Sequence, residues 1–92
     1  MKFQSTSSYK KAYQKLSTKD RSRIDKALKT LADNPRHPSL NLEKVAPSIW
    51  SIRASDKLRL TFDWKGEIGN IREADPIILR NVGYHERVYR SP

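Results

Sequence analysis

Two apolar periodicities divide the chain. In its first third, Tyr9, Ala12, Tyr13 and Leu16 recur at i, i+3, i+4 and i+7, and Ile24, Ala27, Leu28 and Leu31 repeat that spacing. Each set lays one apolar stripe along a helix. Ser7 or Ser8 stands where the first helix needs a cap, since a serine hydroxyl accepts an amide hydrogen bond that a helix start leaves unmet. The second helix opens at Ser17 in the stretch STKD, with Asp20 three residues on as in a capping box, and Asn34 with Pro35 ends it. A helical hairpin results, preceded by a short strand over residues 1–5.

Beyond Ser48 the period drops to two. Trp50, Ile52 and Ala54 alternate with Ser51 and Arg53, and Leu58, Leu60, Phe62 and Trp64 alternate with Arg59, Thr61 and Asp63. That pattern predicts a β-hairpin with one apolar and one polar face. KGEIGNIREADP, with two glycines and a proline, reads as loop or ragged strand, and IILRNV reads as a third strand. The connector DNPRHPSLNLEKVAPS holds three prolines, too many for a regular element. The expected fold class is α+β: an N-terminal strand and helical hairpin packed on a twisted antiparallel sheet, as a single domain over residues 1–92.

Composition narrows the choice of function. A chain of 92 residues has no room for a deep, enclosed pocket. It has no cysteine, which removes disulfides and thiolate metal sites. MKFQSTSSYKK lacks the apolar stretch of a secretory signal, and no run approaches the roughly 18 apolar residues of a membrane span, so a cytoplasmic protein with no membrane partner is expected. Net charge is +9, and it is uneven: residues 1–38 carry ten Lys/Arg against three Asp/Glu. Such a field attracts polyanions, either nucleic acid or an acidic protein, and Lys10, Lys11, Lys15, Lys19, Arg21 and Lys26 are the candidate RNA- or ribosome-binding residues. The plain alternative is a lysine-rich helix surface that only keeps the protein soluble.

The helices should cover the apolar face of the hairpin, leaving Ser51, Arg53, Arg59, Thr61 and Asp63 on an open face, joined by Arg80 and the tail NVGYHERVYRSP. Guanidinium groups fork onto phosphate oxygens, so three converging arginines would cradle a phosphate. Pairing of each with an acid such as Asp63 or Asp56 is the structural alternative. His37 lies in the proline-rich connector, where HPSL reads as a shape-setting turn. The two histidines are far apart, with no carboxylates at ligand spacing, so no metal site is predicted. Trp50 and Trp64 fall on the apolar alternation and are read as core.

The motifs HPSLNLEKV, IWSIRASDKLRLTF and ILRNVGYHERVY, in this order and on a basic chain of this length, resemble the RelE/ParE superfamily of toxin–antitoxin toxins over nearly the whole chain. The resemblance implies two helices on a twisted antiparallel sheet. On the RelE/YafQ-like branch it implies a ribosome-dependent mRNA endoribonuclease that needs no metal or other cofactor and is held inactive by an acidic antitoxin. Its partners would be that antitoxin, mRNA in the ribosomal A site and ribosomal RNA, with operator DNA reached only through the antitoxin. The ParE-like branch implies instead a non-catalytic inhibitor of DNA gyrase, and a degenerate member would only bind its antitoxin.

Cleavage by the 2′-hydroxyl needs a base, an acid for the leaving 5′-oxygen and fixed positive charge for the phosphorane. By resemblance, Arg53, Arg59 and Arg80 supply the charge, His85 carries a proton and Tyr89 stacks on a base or shares in proton transfer. Ser51 and Arg53 stand where one nuclease subgroup has a lysine pair. No residue clearly matches the glutamate base of another subgroup, and the gap from Arg80 to His85 is one residue longer than in the most similar one.

Overall fold

The computed structural model describes residues 2–64 and 76–84, with Val88 and Arg90. A short strand β1 (Lys2–Ser5) leads into helices α1 (Ser7–Gln14) and α2 (Thr18–Asp33), a 3-10 turn (Pro38–Leu40), and strands β2 (Glu43–Ala46), β3 (Ile49–Arg53), β4 (Leu58–Asp63) and β5 (Pro76–Tyr84). The strands form one sheet in the order β1-β5-β4-β3-β2; β1 runs parallel to β5 and every other neighbouring pair is antiparallel. This is the predicted α+β architecture. One strand is additional: β2 forms inside the connector read as irregular, because Pro35, Pro38 and Pro47 all lie outside Glu43–Ala46 and leave its amides free to pair with β3.

Both helices start on hydroxyl caps. Thr6 caps α1, one residue earlier than the serines expected, because its side chain already sits at the end of β1: Thr6 Oγ1 accepts from the Tyr9 amide at 3.1 Å and donates to the Arg80 carbonyl at 3.0 Å. Ser17 caps α2 as predicted, accepting from the Asp20 amide at 3.1 Å. Asp20 does not close the box, since its carboxylate accepts from Tyr84 Oη at 3.1 Å and pairs with Arg23 Nη1 at 3.2 Å. The start of α2 is thereby tied to the end of β5.

The predicted apolar faces meet in one core. Tyr9, Ile24, Ala27 and Leu31 from the helices pack with Leu40, Ile52, Leu58, Leu60, Phe62, Trp64, Ile77, Leu79 and Val82. Burial of large side chains at about 25 cal/mol per Å² of apolar surface drives this assembly. Trp50 is half-buried beside it, with Lys44 Nζ 5.7 Å from the ring centroid. Trp64 is core, as expected.

A bulge in β5 decides what each of its residues faces. Thr61 pairs with Asn81 but Phe62 pairs with Leu79, so Arg80 is the extra residue. Without it, Leu79 and Val82 would point to opposite sides, because strand side chains alternate. With it, both are buried in the helix-side core, and Arg80 and Asn81 are left for the other face.

Candidate active site

Directly paired residues of antiparallel strands share a face, so the registers assemble the surface opposite the helices row by row. One row is Arg53, Arg59 and Gly83; the next is Glu43, Ser51, Thr61 and Asn81; the third is Ile49, Asp63 and Ile78, with Arg80 added by the bulge. The chemistry lies in the first row. Arg53 and Arg59 stand directly opposite each other across β3 and β4, where like charges normally cost stability. On the other flank of Arg59 the partner is Gly83, which has no side chain to fill the space.

The face is not open, which corrects the expectation from alternation. Ser51 and Thr61 are fully buried and Arg59 is only 7% exposed, whereas Arg53 and Asp63 are half-buried. β4 is the middle strand of five, and a polar alternation does not distinguish a solvated face from a covered one. Burying a guanidinium strengthens its pull on any anion that reaches it, because water screens the charge less.

The three predicted arginines do not all converge. Arg53 and Arg59 are direct cross-strand neighbours, while Arg80 belongs to the third row, where its Nη1 lies 3.7 Å from Asp63 Oδ2. That ion pair is the structural alternative anticipated for these residues, seen here at Arg80. His85 and Tyr89 lie outside the described residues. Of the tail beyond β5, Val88 is helical and fully buried, and Arg90 is helical and exposed. Among the described residues no group of three His, Asp or Glu side chains could hold a metal ion.

The basic residues of the helices take a different position. Lys10, Lys11, Lys15, Lys19 and Lys26 are exposed, whereas Arg21 is partly buried with a buried Nε. The helices are braced to each other by Tyr13 Oη, which lies 2.9 and 3.1 Å from the two carboxylate oxygens of Asp25, and within α1 the rings of Tyr9 and Tyr13 stack at 6.0 Å. Tyr84 and Gly83 were missed as site-shaping residues. Gly83 was visible only as a strand-end glycine, and Tyr84 becomes meaningful once its hydroxyl is seen on Asp20, 64 positions earlier.

No described helix is long and apolar enough to cross a membrane. By sequence, no family model and no curated protein matches the chain. Its architecture does recur in solved structures. A YoeB/ParE toxin from Agrobacterium tumefaciens superposes with a TM-score of 0.70 at 16% identity, over 92% of this chain and 99% of that one. A free arginine-to-alanine double variant of E. coli RelE gives 0.67 at 23% identity, over 97% and 90%. The RelB–RelE antitoxin–toxin complex from Methanococcus jannaschii gives 0.60 at 17%, over 97% and 99%. The chain therefore shares the fold of these YoeB/ParE and RelE toxin structures over nearly the full length of each.

Proposed function

We propose that the chain is the toxin of a type II toxin–antitoxin pair and acts in the cytoplasm as an endoribonuclease on translated mRNA. The observation that carries this reading is the direct cross-strand pair of Arg53 and Arg59 beside Gly83. Like charges directly opposite each other on a sheet repel, and a phosphate that reached both guanidinium groups would offset that repulsion. The attraction grows as charge accumulates on the phosphorane, so such a pair stabilises the transition state more than the ground state.

In this mechanism the 2′-oxygen of the RNA attacks the adjacent phosphorus, giving up its proton to a base. The bond from phosphorus to the 5′-oxygen then breaks, and an acid protonates the departing oxygen. Arg53 and Arg59 hold the non-bridging oxygens. Arg80, positioned by Asp63, adds to the field, and His85 with Tyr89 are assigned the proton transfers and base stacking. The exposed lysines of α1 and α2 engage ribosomal RNA in the A site. A cognate antitoxin, acidic against the +9 of this chain, covers the basic helices or the site; toxin structures of this fold have been solved in complex with RelB.

A second reading turns on whether the arginines are structural. If Arg59 and Arg80 served the fold alone, with Arg59 buried and Arg80 beside Asp63, the chain would be a non-catalytic inhibitor of DNA gyrase. Mapping RNA 5′ ends and plasmid supercoiling after brief induction separates the two. New ends within reading frames, with supercoiling intact, are expected. Growth arrest with intact messages and relaxed plasmid would replace the nuclease reading with the gyrase one.

A further inference from the structure

The stretch RHPS, read from sequence as a shape-setting turn, does more than set shape. We propose that the turn at Arg36–Asn41 is a second anion site, which takes one backbone phosphate of a bound RNA strand on elements separate from the Arg53/Arg59 pair. It rests on the turn's geometry, independently of whether the chain cleaves RNA.

Every backbone N–H of the turn is already used. Arg36 donates to Asn34 Oδ1 at 3.1 Å, His37 to the Asn34 carbonyl at 3.0 Å, and Ser39 to His37 Nδ1 at 3.1 Å. Leu40 donates to the His37 carbonyl at 3.1 Å and Asn41 to the Pro38 carbonyl at 3.2 Å. Pro35 and Pro38 have no N–H to offer. Leu40, 1% exposed, pins the turn to the core, and Asn41 leaves it in the left-handed region at φ 45°. The backbone is therefore rigid and satisfied, and only side chains remain to recognise a ligand.

Those side chains are donors. His37 Nδ1 accepts the Ser39 amide and lies 2.8 Å from Ser39 Oγ, so the neutral ring carries its proton on Nε2. The same bond that builds the turn thus turns the far side of the imidazole into an N–H donor. Arg36 is exposed and makes no ion pair among the described residues. Both line an open depression of about 410 Å³ with Pro38, Asn41 and Leu42, and no acidic residue is among the described residues that line it. A fixed cation beside an oriented neutral donor, on a turn that loses little entropy on binding, is chemistry suited to a phosphate oxygen pair. Arg36 and His37 also belong to the strongly basic part of the chain, which favours a polyanionic strand over an isolated anion.

The test is an NMR titration of the full chain with inorganic phosphate, and separately with a 2′-O-methyl RNA dodecamer that cannot be cut. Saturable shifts of His37 Nε2 and the Arg36 side chain with RNA are expected, with weaker shifts for phosphate alone; shifts with RNA only would equally support a strand-borne phosphate. Arg36→Ala should weaken RNA binding roughly tenfold and lower the salt slope by about one. His37→Asn keeps a capping side chain and removes the imidazole donor, so it should weaken binding to a similar extent while the Ser39 and Leu40 amide resonances stay in place. RNA binding that leaves Arg36 and His37 unshifted, or wild-type affinity in either variant, would overturn the proposal. So would an acidic peptide that occupies the depression in preference to RNA. Because the dodecamer is uncleavable, loss of the nuclease reading would leave this outcome legible.

Discussion

Arg53 and Arg59 pair across adjacent strands but differ in burial, and that difference separates two effects that a single substitution would confound. Arg53→Ala removes a half-buried charge, so cleavage should fall about 10²- to 10³-fold with stability almost unchanged. Arg59→Ala should lose activity and also lower the denaturation midpoint, because its stem is packed inside the protein as well as charged. Measuring urea midpoints beside cleavage rates checks both; a stable, inactive Arg59→Ala would contradict the burial. Tyr9 offers a test by pH. Its hydroxyl is pushed well above the ordinary tyrosine range, first by burial and then by the negative charge of Tyr13 and Asp25. The unfolded chain therefore releases this proton near pH 10 while the folded protein keeps it, so the stabilisation is complete below pH 10 and lost as pH rises above it. The slope should be about 1.4 kcal/mol per pH unit from this group, and Tyr9→Phe should flatten it in alkaline unfolding curves.

Among the elements, the helices were readable because their signals are local. A 3.6-residue apolar stripe and a hydroxyl cap need only neighbouring residues, and α2 begins and ends where Ser17 and Asn34 indicate. The sheet was readable as strands but not as a surface. Alternation gave the core side of β3 and β4 correctly, whereas exposure of the other side depends on what the rest of the chain lays over it. The bulge at Arg80 was also beyond local reading, since it exists only in the register between β4 and β5. It predicts tolerance of a deletion. Removing Asn81 would put Arg80 opposite Thr61 and restore regular alternation, with Leu79 and Val82 still on the core face, so the variant should unfold cooperatively; loss of cooperative unfolding would show that the bulge itself is needed. The 3-10 turn is held more simply, and Leu40→Ala should cost about 2 to 5 kcal/mol in thermal or urea denaturation.

For the whole molecule, charge and fold point in the same direction. The +9 charge is concentrated in residues 1–38, and the exposed lysines of α1 and α2 carry much of it. Reversing Lys10, Lys11 and Lys15 should weaken ribosome binding and make its dependence on log salt shallower by roughly two to three, with the arginine pair untouched. An unchanged salt slope would reduce those lysines to a solubilising role. The candidate site was legible in the same uneven way: arginine on a central hairpin is a local pattern, but its pairing with Gly83 and the diversion of Arg80 to Asp63 are long-range facts. The central claim is that the Arg53/Arg59 pair stabilises the transition state for RNA cleavage, and single-turnover cleavage of a ribosome-bound message measures it most directly. Wild type should generate defined new RNA ends, and Arg53→Ala should cut the same sites about 10²- to 10³-fold more slowly at saturating enzyme. Equal single-turnover rates for the two proteins, or no ends from wild type on an actively translated message, would contradict the claim.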